Sequence, residues 1–483
     1  MDIETRNYIA GAWCAGEGTV ANINPSDLTD VIGHFAQGSV ADVDRAVAAA
    51  RAAQPHWAAA GIQRRHDALM QIGTELMARA AEIGALLSRE EGKPLAEGKG
   101  EVYRAGQFFT WFAAEALRCQ GDQAESVRPG VEIEVRREAL GVVAIVTPWN
   151  FPVATPAWKI APALAYGNAV VWKPANLTPA SAVALAQVIA RAGLPAGTFN
   201  MVMGAGRALG DALVGHPDVA AVTFTGSVEV GQSIAARVLT NRAKLQMEMG
   251  SKNPMLIMDD CDMDLAVAHA CNAAFGGTGQ KCTAASRLIV HRKVLEEFTT
   301  RLVAAAEALR VGHALEEGTQ IGPVVSEGQL SANLDWVAKG RAEGATLLTG
   351  GQRLDRPTQG HFMAPAILAD TTNAMGVNRA EMFAPITCII PADSYAEALS
   401  LANDTPFGLT AGIMTRSLAR AAHFRANMRA GCVMVNLPTA GTDYHVPFGG
   451  RGLSSFGPRE QGRYAAEFFT TVKTAYMAAG VPE

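Results

Sequence analysis

A cysteine, a glutamate and an asparagine in this sequence have the types and settings that covalent catalysis needs. Cys282 follows the run Phe275-Gly-Gly-Thr-Gly-Gln-Lys. Its glycines allow unusual backbone angles and close approach of a substrate, and Lys281 beside the thiol is expected to favour the thiolate. That pattern suits a nucleophile; a buried, inert cysteine in a turn is the plainer alternative. Glu248 lies between Met247 and Met249. Partial desolvation there raises a carboxyl pKa and suits general-base work; an ion-paired Glu on a surface strand is the alternative. Asn150, within Thr147-Pro-Trp-Asn-Phe-Pro152, offers a neutral amide able to hold an oxyanion, or one that stabilises a turn.

These groups need a scaffold, and the pattern around them supplies one. Residues 39–121 read as helical, over Asp42–Ala60, Gln63–Glu91 and Gly100–Arg118, from apolar positions three and four apart. Val131–Glu138 alternates apolar and charged residues like a half-exposed strand. Strands then alternate with helices. The strands are Val142–Thr147, Ala169–Lys173, Phe199–Met203 and Val219–Phe224; the helices are Ala154–Tyr166, Pro179–Ala192, Arg207–Gly215 and Val228–Leu239. This order implies a parallel, doubly wound sheet that binds ligands beyond the carboxyl ends of its strands. Lys173 and Asn176 end one strand, where they can meet a ribose. Gly204–Gly210 ends the next, with Gly206 and Gly210 spaced one place too long for GxGxxG. Ser227 opens a helix, a ready phosphate site. After Pro254 the pattern restarts: strands Leu256–Met258, Arg287–Val290 and Thr387–Ile390, helices Met263–Ala274, Val294–Leu309 and Tyr395–Asn403, and a last strand Phe468–Met477.

Composition narrows the class. A chain of 483 residues with 49% hydrophobic residues holds two or three cores. The net charge is −5, and no run of Lys or Arg marks a nucleic-acid or membrane surface. The N-terminal residues resemble no secretory signal, and the longest apolar runs are strand-length, so a cytoplasmic protein is expected. Seven cysteines (Cys14, Cys119, Cys261, Cys271, Cys282, Cys388, Cys432) are scattered without CxxC spacing. They read as reduced, mostly buried thiols, with no disulfide framework and no metal site.

Taken together the segments resemble the aldehyde dehydrogenase superfamily over nearly the whole chain. Its E-L-G-G-K-(N/S)-P block is matched by Glu248–Pro254, G-Q-x-C by Gly279–Cys282, and P-W-N-F-P by Pro148–Pro152. F-T-G-S-x-x-x-G is matched by Phe224–Gly231, E-x-F-G-P by Glu381–Pro385, and P-F-G-G by Pro447–Gly450. Ser251 and Ala384 each replace a family glycine.

The resemblance implies an α/β fold with a Rossmann-like cofactor domain (residues 1–121 and 140–248), an α/β catalytic domain (249–464) and a small β oligomerisation flap (122–139 and 465–483). It implies a homodimer or homotetramer. It implies NAD or NADP as cofactor and an aldehyde as substrate: Cys282 as nucleophile, Asn150 and the Cys282 N–H around the oxyanion, and Glu248 activating the water that releases a carboxylate. Lys173, a catalytic-set residue too, and Glu381 would be the two residues that contact the riboses. Trp149 and Ser227 would lie near the nicotinamide and pyrophosphate, Gly206 near the adenine and Phe383 near the nicotinamide ribose. Thr147, Asn176, Gly210 and Met249 complete the cofactor set. Lys252 holds a position discussed as a proton relay. Val435–Phe448 and Ser455–Gly462 resemble the α-ketoglutaric semialdehyde branch, so 2,5-dioxopentanoate is the expected substrate. A broad aliphatic or aromatic aldehyde, or succinate semialdehyde, is the alternative. Phe151, Trp158, Tyr444 and Phe448 are the expected channel, with Arg104, Lys281 or His445 to anchor a carboxylate. Transfer of the acyl group to coenzyme A and a non-catalytic relative are the rival readings; the presence of Glu248 speaks against both.

Overall fold

The computed structural model describes residues 3–118, 121–204 and 206–480, with only the backbone of Ala208. Cys119 lies outside the described residues; the other six cysteines are unpaired, and only Cys271 and Cys388 are buried. Among the described residues no helix is long and apolar enough to cross a membrane.

The first sheet has eight strands. Its order runs Ser455–Phe456, Lys244–Met249, Val219–Gly226, Val142–Val146, Ala169–Lys173, Phe199–Met201, Asn7–Ile9 and Ala12–Cys14. The five strands from Lys244–Met249 to Phe199–Met201 are parallel, with antiparallel strands at both edges. The central parallel strands are apolar without alternation because helices cover both faces. From Val142–Val146 the chain builds outward in one direction, then returns to build in the other. The strand order therefore reverses between Val142–Val146 and Val219–Gly226, and a crevice opens at their carboxyl ends.

The second sheet has seven strands, in the order Thr346–Thr349, Ala366–Ala369, Ile386–Ala392, Ala285–His291, Asn253–Ile257, Thr410–Met414 and Cys432–Val435. All pairs are parallel except at Thr346–Thr349. A three-stranded antiparallel flap joins Thr470–Ala478, Val131–Ala139 and Asp122–Glu125.

The differences from the sequence reading have local causes. The expected helix Gln63–Glu91 is two helices, Ile62–Ala78 and Ala80–Glu91, because Arg79 leaves helical geometry (φ −99°, ψ 14°). The helix expected from Gly100 begins at Leu95, directly after Pro94. Val40–Ala59 starts where Ser39 and Asp42 form a capping box. The N-terminal strands carry no strong alternation and escaped the reading, as did Lys244–Met249, whose Lys, Gln and Glu disguise a buried strand. Ser455–Phe456, in the stretch assigned to the catalytic domain, pairs instead with Lys244–Met249 in the first sheet.

Asn168 ties three elements together. Fully buried, it accepts from Leu140 N–H (2.7 Å) and Gly141 N–H (3.1 Å) and donates to Ala163 O (3.2 Å) and Phe469 O (2.9 Å). Each buried group left without a partner costs about 1–3 kcal/mol. Asn168→Ala is therefore expected to lower the apparent unfolding temperature by several degrees, read in a thermal melt; an unchanged transition would remove Asn168 from this role.

Candidate active site

The crevice of the first sheet faces the second sheet across a cavity of about 230 Å³. Of the expected residues, Trp149, Asn150, Phe151, Trp158, Ser227, Glu248, Met249, Cys282, Glu381, Phe383 and Phe448 line it. Thr155 and Gln329 line it as well and were missed. A larger concavity of about 810 Å³ lies on the flap, lined by strand residues and the turn Ser126–Gly130, without a cysteine.

Cys282 sits where helix Met263–Phe275 runs out into a turn with Gly277 and Thr278 both at φ near +60°. Gly279, also at positive φ, passes so close to the Ala384 carbonyl that a Cβ would fall 2.1 Å from it. The turn is pinned from several sides. Asn253 Nδ2 donates to Cys282 O (2.7 Å) and Ala284 O (2.9 Å), and Thr439 Oγ1 to Thr283 O (2.7 Å). Cys282 is half-buried; loss of water around its thiol pushes the pKa far up, and Glu381, Glu248 and Glu460 push it further. The expected help from Lys281 is absent. Its ammonium pairs with Glu97 (3.3 Å), and Lys281 is not among the groups that lower the thiol pKa.

Asn150 is buried and its Nδ2 donates to Gln280 O (2.9 Å). An amide nitrogen carries two hydrogens, which leaves one for a ligand. Its carbonyl accepts from Lys93 Nζ (2.7 Å).

Glu248 lies at the end of a buried strand, 3% exposed. Its Oε2 accepts from the Ser455 hydroxyl at 2.5 Å. Gly449 runs against it: a Cβ there would meet Glu248 Oε1 at 2.6 Å. Burial raises the carboxyl well above the usual range, and the negative charge of Glu460 adds to the rise. Glu460 is paired with Lys159, which also donates to Thr223 Oγ1 (2.8 Å). Lys159 and Glu460 carried no signal as isolated residues; only the fold brings them beside Glu248. Lys252 does not share this place. It is fully buried, its Nζ has no hydrogen-bond partner, and the charges acting on it are Cys388, Arg287 and Glu381.

The expected cofactor residues divide into two groups. Ser227 caps helix Val228–Asn241, with its hydroxyl accepting from Val230 N–H (3.4 Å). Glu381 accepts from Ser251 N–H (3.0 Å), and burial lifts its carboxyl to about 7. Phe383 is held at φ +54°, a strained value for an aromatic residue, and its ring meets Trp149 edge-on at 5.5 Å. Lys173, Asn176, Gly206 and Gly210 lie outside this cavity. Lys173 donates to Pro174 O (3.1 Å) and burial lowers its ammonium to about 8. Glu381 lines the cavity and Lys173 lies beyond it, at the end of strand Ala169–Lys173. Asn176 is exposed. A Cβ on Gly206 or Gly210 would meet open space, so a ligand has room beside helix Gly206–Val214. Thr147 turns inward and accepts from Trp172 Nε1 (2.9 Å), which makes its side chain a packing group. The residues present fit a dinucleotide laid over this edge. Ser251, one of the two departures from the family pattern, is not at positive φ and accepts from Leu409 N–H (3.3 Å), so the site does not require glycine there.

The aromatic residues form a connected wall. Trp158 meets Phe448 (5.9 Å) and Phe108 (5.7 Å), and Phe108 meets Tyr444 (6.4 Å). Tyr444 stands one ring away from the cavity. Arg104 lies over Tyr444 at 5.5 Å, with no carboxylate partner among the described residues. His445 is exposed beside the same ring.

Comparison with known proteins agrees with this geometry. Residues 13–475 match the model of the aldehyde dehydrogenase family. An alpha-ketoglutaric semialdehyde dehydrogenase of Bacillus subtilis is 40% identical over 98% of this chain and 97% of its own. An alpha-ketoglutarate semialdehyde dehydrogenase of Haloferax volcanii is 38% identical over 99% of each chain. The crystal structure of betaine aldehyde dehydrogenase from Staphylococcus aureus in complex with NAD+ superposes with a TM-score of 0.97 at 30% identity, over 100% of this chain and 96% of that one. With the family model covering residues 13–475 and relatives at 38–40% identity over nearly the full length, the chain belongs to the aldehyde dehydrogenase family.

Proposed function

We propose that this NAD(P)+-dependent aldehyde dehydrogenase oxidises a small semialdehyde bearing its own carboxylate, with 2,5-dioxopentanoate the preferred substrate. The observation that carries this reading is the full-length likeness to relatives named for that semialdehyde, at 38–40% identity. Arg104 supports it: an unpaired guanidinium at the outer end of the aromatic wall suits a distal carboxylate. Lys281 is occupied by Glu97, which takes it out of contention as the anchor.

Cys282 Sγ, its proton passing to solvent in the open cavity, attacks the aldehyde carbon. The oxyanion of the adduct meets the second N–H of Asn150 and the Cys282 backbone N–H. When bound, the nicotinamide supplies the hydride acceptor that leaves the acyl group on Sγ. Glu248 then takes a proton from water, and burial, which raises its carboxyl pKa, makes it the stronger base for that step. Glu460 and Lys159 lie beside it and keep that neighbourhood polar. Ser227 and Met249 would hold the diphosphate side of the dinucleotide and Glu381, Phe383 and Trp149 its nicotinamide side. Lys173, Asn176, Gly206 and Gly210 would hold the adenosine. Asn176 carries no charge to repel a 2′-phosphate, and Lys173 can pair with one, so NADP+ is accepted beside NAD+. A reactive thiol fits a reducing, cytoplasmic compartment.

The flap is the proposed site of self-association. Strand Thr470–Ala478 is paired on one edge only, and Val472, Tyr476 and Met477 on it are more than half exposed. Bare, apolar edges are ordinarily covered. The protein is expected to elute as a homodimer or homotetramer in size-exclusion light scattering, and a chain cut after Phe469 as a smaller species; a monomer at micromolar concentration would refute this.

Four kinetic outcomes are expected. Glu248→Gln should give a burst of reduced cofactor of about one per site and then lose most steady-state turnover, while Cys282→Ala shows neither. Loss of the burst in Glu248→Gln would place that residue earlier in the reaction. In a substrate panel with both cofactors, kcat/KM for 2,5-dioxopentanoate should exceed that for benzaldehyde and hexanal, and Arg104→Met should lower it about tenfold or more while sparing hexanal. NADP+ should support a kcat/KM within about a hundredfold of NAD+. A neutral aldehyde ahead by tenfold would reject the semialdehyde reading.

A further inference from the structure

The segment Glu90–Glu101 supplies no lining to the cavity, yet it holds more buried charge than any stretch that does. Lys93 is 4% exposed and Glu101 6%. Lys93 Nζ donates to Glu101 Oε2 (2.6 Å) and to Asn150 O (2.7 Å), and lies 4.2 Å over the ring of Phe151. The other oxygen of Glu101 accepts from Val153 N–H (2.9 Å) and Ala154 N–H (3.0 Å), at the start of helix Ala154–Ala165. Four residues earlier on the same helix face, Glu97 accepts from Gly277 N–H (3.0 Å) and pairs with Lys281. The segment itself is anchored by Glu90, which accepts from Ala180 N–H (2.6 Å) and Ser181 N–H (2.7 Å).

Asn150 comes from the first sheet and Cys282 from the approach to the second. The oxyanion must meet a donor from each. An error of about 1 Å in such a placement costs about a hundredfold in rate. Asn150 Nδ2 already spans the gap to Gln280 O, but a single bond between two loops does not fix their separation. The pairs from Glu97 and from Lys93–Glu101 bind one loop each to a common rigid helix.

We propose that Lys93, Glu101 and Glu97 form a positioning clamp that sets Asn150 against Cys282, with Lys93 acting through the Asn150 backbone. None of the three touches the reacting atoms. The clamp rests on the oxyanion role given to Asn150, and a double-mutant cycle separates the two ideas. The rate of the first turnover is measured by absorbance of the reduced cofactor in stopped flow, with the fastest aldehyde of the substrate panel. It is compared for the unaltered enzyme, Lys93→Gln, Asn150→Ala and the double variant. Cofactor binding is followed separately by fluorescence, as evidence that each variant is folded. Lys93→Gln is expected to slow the first turnover about thirtyfold or more, since loss of an oxyanion donor costs about a hundredfold to a thousandfold. In the Asn150→Ala background the same change should cost less than about threefold, because the group it positions is gone. Equal losses in both backgrounds would show a general structural role and overturn the clamp. A first turnover unaffected by Asn150→Ala would overturn both the clamp and the oxyanion assignment beneath it. Should Lys93→Gln fail to bind cofactor, Glu101→Gln takes its place in the cycle. It keeps an oxygen for Val153 and Ala154 but removes the charge that orients Lys93, and the same non-additivity is expected.

Discussion

Glu248 and Glu460 put two carboxylates in one buried neighbourhood, and Lys159 makes this tolerable. Desolvating one carboxylate is costly; desolvating two side by side is worse unless a cation is close. Lys159 pairs with Glu460 and reaches Thr223, which in turn donates to Gln246 (2.6 Å). Glu248 is left without a direct cation and instead takes the Ser455 hydroxyl. One acid is thereby neutralised by pairing while its neighbour stays free to exchange a proton. The antiparallel strand Ser455–Phe456 exists in the first sheet to deliver that hydroxyl and, with the segment after it, Glu460.

Two separate sheets contribute to one small volume, and the backbone carries strain where they meet. Thr278 and Phe383 both adopt left-handed geometry, and Gly279 and Gly449 fit only because they lack side chains. Such strain persists where the surroundings over-determine it. Here Asn253, Thr439 and Glu97 hold the cysteine turn, while Ser251 N–H and the Trp149 edge hold Glu381 and Phe383.

Much of this was legible in the sequence because its carriers are local. The apolar strands of the first sheet are continuous runs, and the resemblance brought Cys282, Glu248 and Asn150 forward as a set. Lys159, Glu460, Lys93 and Glu101 were not legible. Each reads as a surface charge until tertiary contacts bury it, and Glu460 reaches Lys159 only across the whole chain. Lys281 shows the reverse error: adjacency in sequence to Cys282 suggested an electrostatic partner, but successive side chains in a turn diverge, and Glu97 claimed it. The split at Arg79 left no clear mark, since the apolar spacing continues through it.

The raised thiol pKa of Cys282 has a consequence beyond turnover. Peroxides and alkylating compounds react with thiolates, and slowly with thiols. Loss of water around Cys282 and the charges of Glu381, Glu248 and Glu460 all disfavour its thiolate and therefore these reactions. The carboxylates around the cavity thus hold Cys282 away from the form through which peroxides and alkylating compounds react.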